Sequence, residues 1–211
     1  MHYVQVVREF LQHMEVILIN IILFYKVSIK MCKKITHTNS NLGGFMIFIK
    51  DTCLITIIII CSYIGFLKSK TFENRVLELS KFQNALVMFE SKLKFTYEPI
   101  KNIFEEISNV IYKNENNVFF YTSKEKRNIY KAWCTGIDEN KYFNEEDRNV
   151  TKMMGKLLGK TDIEGQLSEI ELGLELINKQ IKDAEIEKNK NSKLYKTMGV
   201  ILGIGISIIL I

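Results

Sequence analysis

Two uninterrupted apolar runs limit what this chain can be. Residues 194–211 read LYKTMGVILGIGISIILI, with no charged side chain after Lys196, and residues 52–67 read TCLITIIIICSYIGFL. A water-soluble fold would have to hide both in a core, whereas a bilayer accepts them when helical backbones satisfy their own N–H and C=O groups. The chain therefore reads as a membrane protein with one polar body between two anchors. As a helix the first run is about 24 Å long, slightly short for a hydrocarbon layer of about 30 Å. Ile47, Phe48 and Ile49 lengthen it if Lys50 reaches the interface. In the second run Gly199 and Gly203 form a GxxxG pair, and Gly205 adds a third small residue.

Lysines flank both runs on the body side. Lys68, Lys70, Arg75 and Lys81 follow the first, while Lys188, Lys190, Lys193 and Lys196 precede the second. The excess of cations on the cytoplasmic side of spans makes the body cytoplasmic. The boundaries read as a first transmembrane helix at 46–67, a cytoplasmic helical domain at 68–193 and a second transmembrane helix at 194–211.

The first 45 residues stand apart. They hold Arg8, Lys26, Lys30, Lys33 and Lys34 against Glu9 and Glu15, which accounts for +3 of the net charge of +5. Their apolar stretch at 16–28 is short for a span and suits a core helix or a signal-type segment equally. Gly43-Gly44-Phe45-Met46 is also writable as a purine-rich ribosome-binding site just before a start codon. We expect translation to begin at Met46 and residues 1–45 to be a spurious extension, a reading that an intact mass containing them would overturn.

Little here points to catalysis. The histidines are His2, His13 and His37, so no imidazole follows residue 45. Cys32, Cys53, Cys61 and Cys134 form no CxxC pair, and two of them lie within the first apolar run. No disulfide framework, metal site or cofactor is expected. The body is nearly charge-balanced and lacks a basic stripe with interleaved aromatics, which argues against nucleic acid. Gly155-x-x-x-Gly159-Lys160-Thr161 is one place out of register for a phosphate loop and no strand precedes it, so nucleotide binding is rejected. Glu105-Glu106 and Glu145-Glu146-Asp147 read as solvated runs. Asp162 and Glu164 read as helix-start partners, and Trp133 as core.

The body reads as helix throughout. Phe72, Val76, Leu79, Phe82, Leu86, Phe89 and Leu93 stripe one helix after the first span. Pro99 suits the first turn of the next, which carries Ile100, Ile103, Phe104, Ile107 and Ile111. Thr122-x-x-Glu125 is a capping-box pattern ahead of Ile129, Ala132, Trp133 and Ile137. Asn144 can cap a helix with Val150, Met154, Leu157 and Leu158. Thr161-x-x-Glu164 is a further capping box, and Ile163, Leu167, Ile170, Leu174, Ile177, Ile181 and Ala184 then form a seam that runs on into the second span. The fold class is all-α: a membrane-anchored antiparallel helical bundle of about five soluble helices, with a transmembrane helix at each end of the cytoplasmic domain.

Three stretches also carry a family resemblance. They are Leu157-Leu158-Gly159-Lys160-Thr161-Asp162-Ile163-Glu164-Gly165-Gln166, Lys193-Leu194-Tyr195-Lys196-Thr197-Met198-Gly199-Val200, and Ala85-Leu86-Val87-Met88-Phe89-Glu90-Ser91-Lys92-Leu93 with Tyr97 and Pro99. Taken in chain order and with this spacing, from Met46 to the last residue, the chain resembles the stage III sporulation protein AB family of endospore-forming bacteria. It departs from the family pattern at Thr161, Gly165, Lys92 and Glu98.

The resemblance implies a non-enzymatic membrane platform subunit of the secretion-like channel apparatus between mother cell and forespore, needed for late forespore gene expression and spore formation. It implies a soluble domain similar to the inner-membrane platform proteins of type II secretion and type IV pilus machines, on the mother-cell side of the forespore boundary. The implied partners are other membrane subunits, a cytoplasmic ATPase and the lipid bilayer, with no small-molecule substrate. Glu90, Tyr97, Pro99, Asp162 and Gln166 are the implied partner-interaction residues. The alternative is a membrane-tethered helical adaptor or coiled-coil signalling protein unrelated to sporulation, its heptad seam pairing between copies.

Overall fold

The computed structural model describes residues 43–96, 98–113, 117–125, 128–156 and 161–210. The apolar stretch at 16–28, the three histidines, Cys32, Tyr97 and the Leu157-to-Lys160 part of the resemblance lie outside these residues, as does nearly all of the expected leader.

The described residues form six α-helices and no strand: α1 (Gly43–Phe95), α2 (Ile100–Tyr112), α3 (Val118–Lys124), α4 (Ile129–Asp138), α5 (Glu145–Met154) and α6 (Ile163–Leu210). Of the described residues, one compact unit comprises 43–66 and 196–210 and the other comprises 67–195. Both α1 and α6 contain stretches long and apolar enough to cross a membrane.

In the first unit α1 and α6 run antiparallel, Leu54 meeting Ser207, Ile58 meeting Gly203 and Cys61 meeting Gly199. Small residues set the approach. A Cβ on Gly199 would stand 2.7 Å from the carbonyl oxygen of Cys61, and one on Gly203 would stand 3.0 Å from the Cα of Ile58. Ser207 continues this row at the same four-residue spacing, its hydroxyl donating to the Gly203 carbonyl at 2.9 Å. Lipid tails are as apolar as leucine, so close van der Waals contact along such a row carries the association. Gly205 lies off the row, with nothing within 4 Å of its Cβ position.

The second unit is a helical body with an aromatic centre. Leu79, Phe82, Leu86, Phe89 and Leu93 of α1 are all buried, as their spacing predicts. Phe82, Phe104, Phe119 and Trp133 pack with ring centroids 5.4–6.1 Å apart, mostly tilted or edge-on. Each fully buried large side chain contributes about 1.5–3 kcal/mol, and favourable ring geometry adds roughly 0.5–1.5 kcal/mol per pair. The Trp133 indole N–H donates to the carbonyl of Thr151 at 2.7 Å, tying α4 to α5. Trp133 is therefore core, as expected from sequence.

Helix starts depart from the sequence reading in four places. Thr122 caps nothing, for it lies inside α3, where its hydroxyl donates to the Val118 carbonyl. The short helix α3 exists because the Asn117 side chain accepts from the N–H groups of Phe119 and Phe120, and Asn128 caps α4 through Lys131. Pro99 occupies the N-cap of α2 rather than its first turn. At α6 the cap is Asp162, not Thr161, its carboxylate accepting from the Gly165 N–H at 3.0 Å. Starting the helix there leaves Ile163 exposed and centres the buried line on Gln166, Ile170, Gly173, Ile177, Gln180 and Ala184. Asn144 does cap α5, in a full capping box with Asp147.

Candidate interaction site and a buried ion cluster

The residues marked by the resemblance occupy two places in the body. Asp162 and Gln166 are joined at the start of α6, where the Gln166 N–H donates to the Asp162 carbonyl at 3.0 Å and the Gln166 side-chain amide donates to the Thr161 carbonyl at 2.9 Å. Asp162 is exposed and Gln166 is buried. The Gln166 amide oxygen has no hydrogen-bond partner among the described residues, and the side chain borders a small apolar cavity beside Phe89, Trp133 and Met154. Glu90 and Pro99 make no hydrogen bond or ion pair to that pair. Glu90 lies half-buried on α1 and pairs with Lys94 one turn later. Pro99 is exposed, its carbonyl accepting from Asn102 and Ile103 at the start of α2. Each described member of the set thus has a local structural task.

The strongest polar constellation in the body is one that sequence reasoning missed. Arg75 on α1 donates from Nε and Nη2 to the two carboxylate oxygens of Asp147 on α5, at 2.8 and 3.0 Å, and from Nη1 to Glu187 on α6. Asp147 is wholly buried and also accepts from the Asn144 N–H at 3.0 Å. Burial works against the Arg75 charge, but the hydrogen bonds and field of Asp147, then of Glu187, outweigh it and hold the guanidinium above its usual value. The expectation that Glu145-Glu146-Asp147 is wholly solvated is corrected at Asp147. Glu145 and Glu146 are exposed, whereas the third residue of the run faces inward at the third position of the helix. Arg75 was legible only as one cation beside the span, because its partners lie 72 and 112 residues away.

Further polar contacts join α1 to α6 in this unit. The hydroxyls of Ser69 and Ser192 share a hydrogen bond, the Gln83 amide donates to Asn178 at 2.6 Å, and Phe72 stacks on Tyr195 with centroids 5.5 Å apart. From Ser69 to Gln83 along α1 the partner on α6 moves back from Ser192 to Asn178, so the pair is antiparallel here too. Elsewhere, Lys92 with Glu106, a half-buried pair, and Lys124 with Glu105, an exposed one, tie α2 to α1 and α3 at the surface with little energetic weight. Among the described residues no group of three or more His, Cys, Asp or Glu could hold a metal ion.

Comparison with known proteins reaches most of the chain. The family described as Stage III sporulation protein AB (spore_III_AB) matches residues 50–211. A relative from Bacillus subtilis (strain 168), named Stage III sporulation protein AB, is 22% identical over 161 residues, covering 70% of this chain and 91% of its own length. No solved structure matches.

Proposed function

Because this chain belongs to the stage III sporulation protein AB family, a sporulation structural subunit and not a known enzyme family, we propose that it is the membrane platform subunit of a secretion-like channel apparatus between mother cell and forespore. Membrane association follows from its two candidate spanning helices. The body lies in the mother-cell cytoplasm in this reading, with the lysines that flank both spans on its side. There it docks a cytoplasmic ATPase and neighbouring membrane subunits, and so sustains late forespore gene expression without bond chemistry of its own. Glu90, Tyr97, Pro99, Asp162 and Gln166 contribute to these contacts, with Gln166 positioning the exposed start of α6 from beneath.

The observation that carries the proposal is the family match over 50–211 on a chain whose helical body is bracketed by two apolar helices. The coiled-coil alternative needs a free seam on α6. Instead Ile170, Ile177 and Ala184 belong to the core of a single chain. Deleting the gene in its host should block spore formation after engulfment, and normal spore yield would overturn the proposal.

A further inference from the structure

Within the body, α6 is turned away from the seam that its sequence lays out. Ile170, Ile177 and Ala184 face inward on either account. To one side of them runs the column Gln166, Gly173, Gln180 and Glu187, and to the other the column Leu167, Leu174 and Ile181, each spaced by seven residues and so by two turns. The apolar pattern selects the second column. The structure buries the first: Gln166 is 8% exposed, Gln180 is 3% exposed and Gly173 packs on Met154, while Leu167, Leu174 and Ile181 stay half-buried at the edge of the core.

This seating is locally unfavourable. The side-chain carbonyl oxygens of Gln166 and Gln180 are buried with no hydrogen-bond partner among the described residues. A buried acceptor without a donor loses the hydration it had in water, and apolar side chains left half in solvent lose part of their burial. A turn of α6 about its own axis by roughly 50° would hydrate both amides and cover Leu167, Leu174 and Ile181, with Ile170, Ile177 and Ala184 inward throughout. Lys188 follows in the apolar column, and its stem is long enough to keep the ammonium in water after the turn.

The ion cluster opposes that turn. Glu187 ends the inward polar column and accepts from Nη1 of Arg75, whose Nε and Nη2 are held by the two oxygens of Asp147 on α5. Because Asp147 is wholly buried in the capping box of α5, Arg75 is a fixed post. The neutral contacts of α6 with α1, Gln83 to Asn178 and Ser69 to Ser192, are weaker bonds. Glu187 is also the accessible member of the cluster, its side chain 38% exposed against 0% for Asp147, so a cation from solvent can compete for it without entering the core. We infer that Arg75 and Glu187 form a latch: while they are paired α6 keeps its polar column inward, and when Glu187 is released α6 turns to seat Leu167, Leu174 and Ile181. The helix has no break before Leu210 at which the turn would be lost.

The test measures labelling of single cysteines by a water-soluble maleimide, in the full chain in nanodiscs with its own cysteines replaced by alanine. The probes are Gln166→Cys and Gln180→Cys in the polar column and Leu167→Cys and Ile181→Cys in the apolar one, so at least one buried amide remains in every variant. Adding Glu187→Ala should raise labelling at 166 and 180 about tenfold or more and lower it at 167 and 181 about threefold or more. Glu187→Gln should give the same signs with smaller changes. Any other pattern overturns the inference, a rise at all four positions marking loosened packing and no change marking a fixed seat. With the probe at 181, adding Gln166→Leu and Gln180→Leu to Glu187→Ala removes both unpaired acceptors and should return labelling to the rate seen with Glu187 present. Labelling that stays low there would also overturn it, since the amides would then not drive the turn.

Discussion

Removing the Asp147 carboxylate by Asp147→Ala would strand one of the best-buried charges in the body. Arg75, whose side chain is 10% exposed, would lose two of its three acceptor contacts and keep only Glu187. Breaking a buried ion pair from one side costs about 3–5 kcal/mol, and losing the return bond to Asn144 costs a further ~0.5–1 kcal/mol. Glu187, with a side chain 38% exposed, stays paired and offsets part of this. A net loss of about 3 kcal/mol is therefore expected, a large share of a typical domain stability of about 5–15 kcal/mol. Replacing both partners, Arg75→Met with Asp147→Leu, removes the desolvated charges together and should cost no more than about 1–2 kcal/mol. Trp133 provides the assay. It is the single tryptophan of the chain, and its indole donates to Thr151, one turn beyond Asp147. Guanidinium unfolding of the full chain in nanodiscs, followed by its emission, thus reports the docking of α4 and α5. A loss below about 1 kcal/mol for Asp147→Ala, or a double variant less stable than the single one, would refute the reasoning.

In the membrane unit, Gly199→Leu should part α1 from α6 and open the buried Cys61 to maleimide labelling, whereas Gly205→Ala should leave labelling unchanged; equal labelling of both variants would exclude the Gly199 contact. Burial, helped by the field of Glu78, holds Tyr112 as a phenol above its ordinary value of 10.0, so its contribution to stability is complete below about pH 10 and declines at higher pH, where the unfolded chain ionises first. A phenolate absorbance titration should lose, in Tyr112→Phe, the tyrosine that ionises only on unfolding; identical titrations of variant and parent would contradict this. At α6, Asp162→Ala should weaken the helix start by ~1 kcal/mol while Asp162→Asn and Thr161→Ala cost only a few tenths, read from amide exchange at Gly165. Faster exchange in Thr161→Ala than in Asp162→Ala would return the cap to Thr161.

What could be read from sequence was whatever repeats at short range. The stripe from Leu79 to Leu93 and the Gly199 and Gly203 row follow helical periods, and burial falls where those periods put it. Caps were less legible because adjacent residues compete. Thr161 and Asp162 both carry an acceptor, and a shift of one residue turned Ile163 outward. Thr122 matched a capping pattern, but Asn117, five residues earlier, had already started a helix through it. The Arg75 cluster was invisible for a different reason: no local period relates residues 72 positions apart, and an acidic run at a helix start reads as solvated unless a cation from elsewhere reaches it. Gln180 and Asn191 lie buried on the inward line of α6, each with a side-chain carbonyl oxygen that has no hydrogen-bond partner among the described residues, whereas the seam read from the sequence passes through Ile181 instead of Gln180.

The residues singled out by the family resemblance need the most careful separation of roles. Pro99 and Asp162 begin helices, Gln166 holds the Thr161 carbonyl, and Glu90 pairs with Lys94. An alanine at any of them would disturb the body whether or not the residue meets a partner, so lost sporulation in such a variant does not by itself assign a contact. Substitutions that preserve the local bond and delete only the charge remove the ambiguity. Asn at 162 still accepts from the Gly165 N–H but offers a partner no carboxylate, and a helix start that survives while docking fails places the charge, not the cap, at the interface.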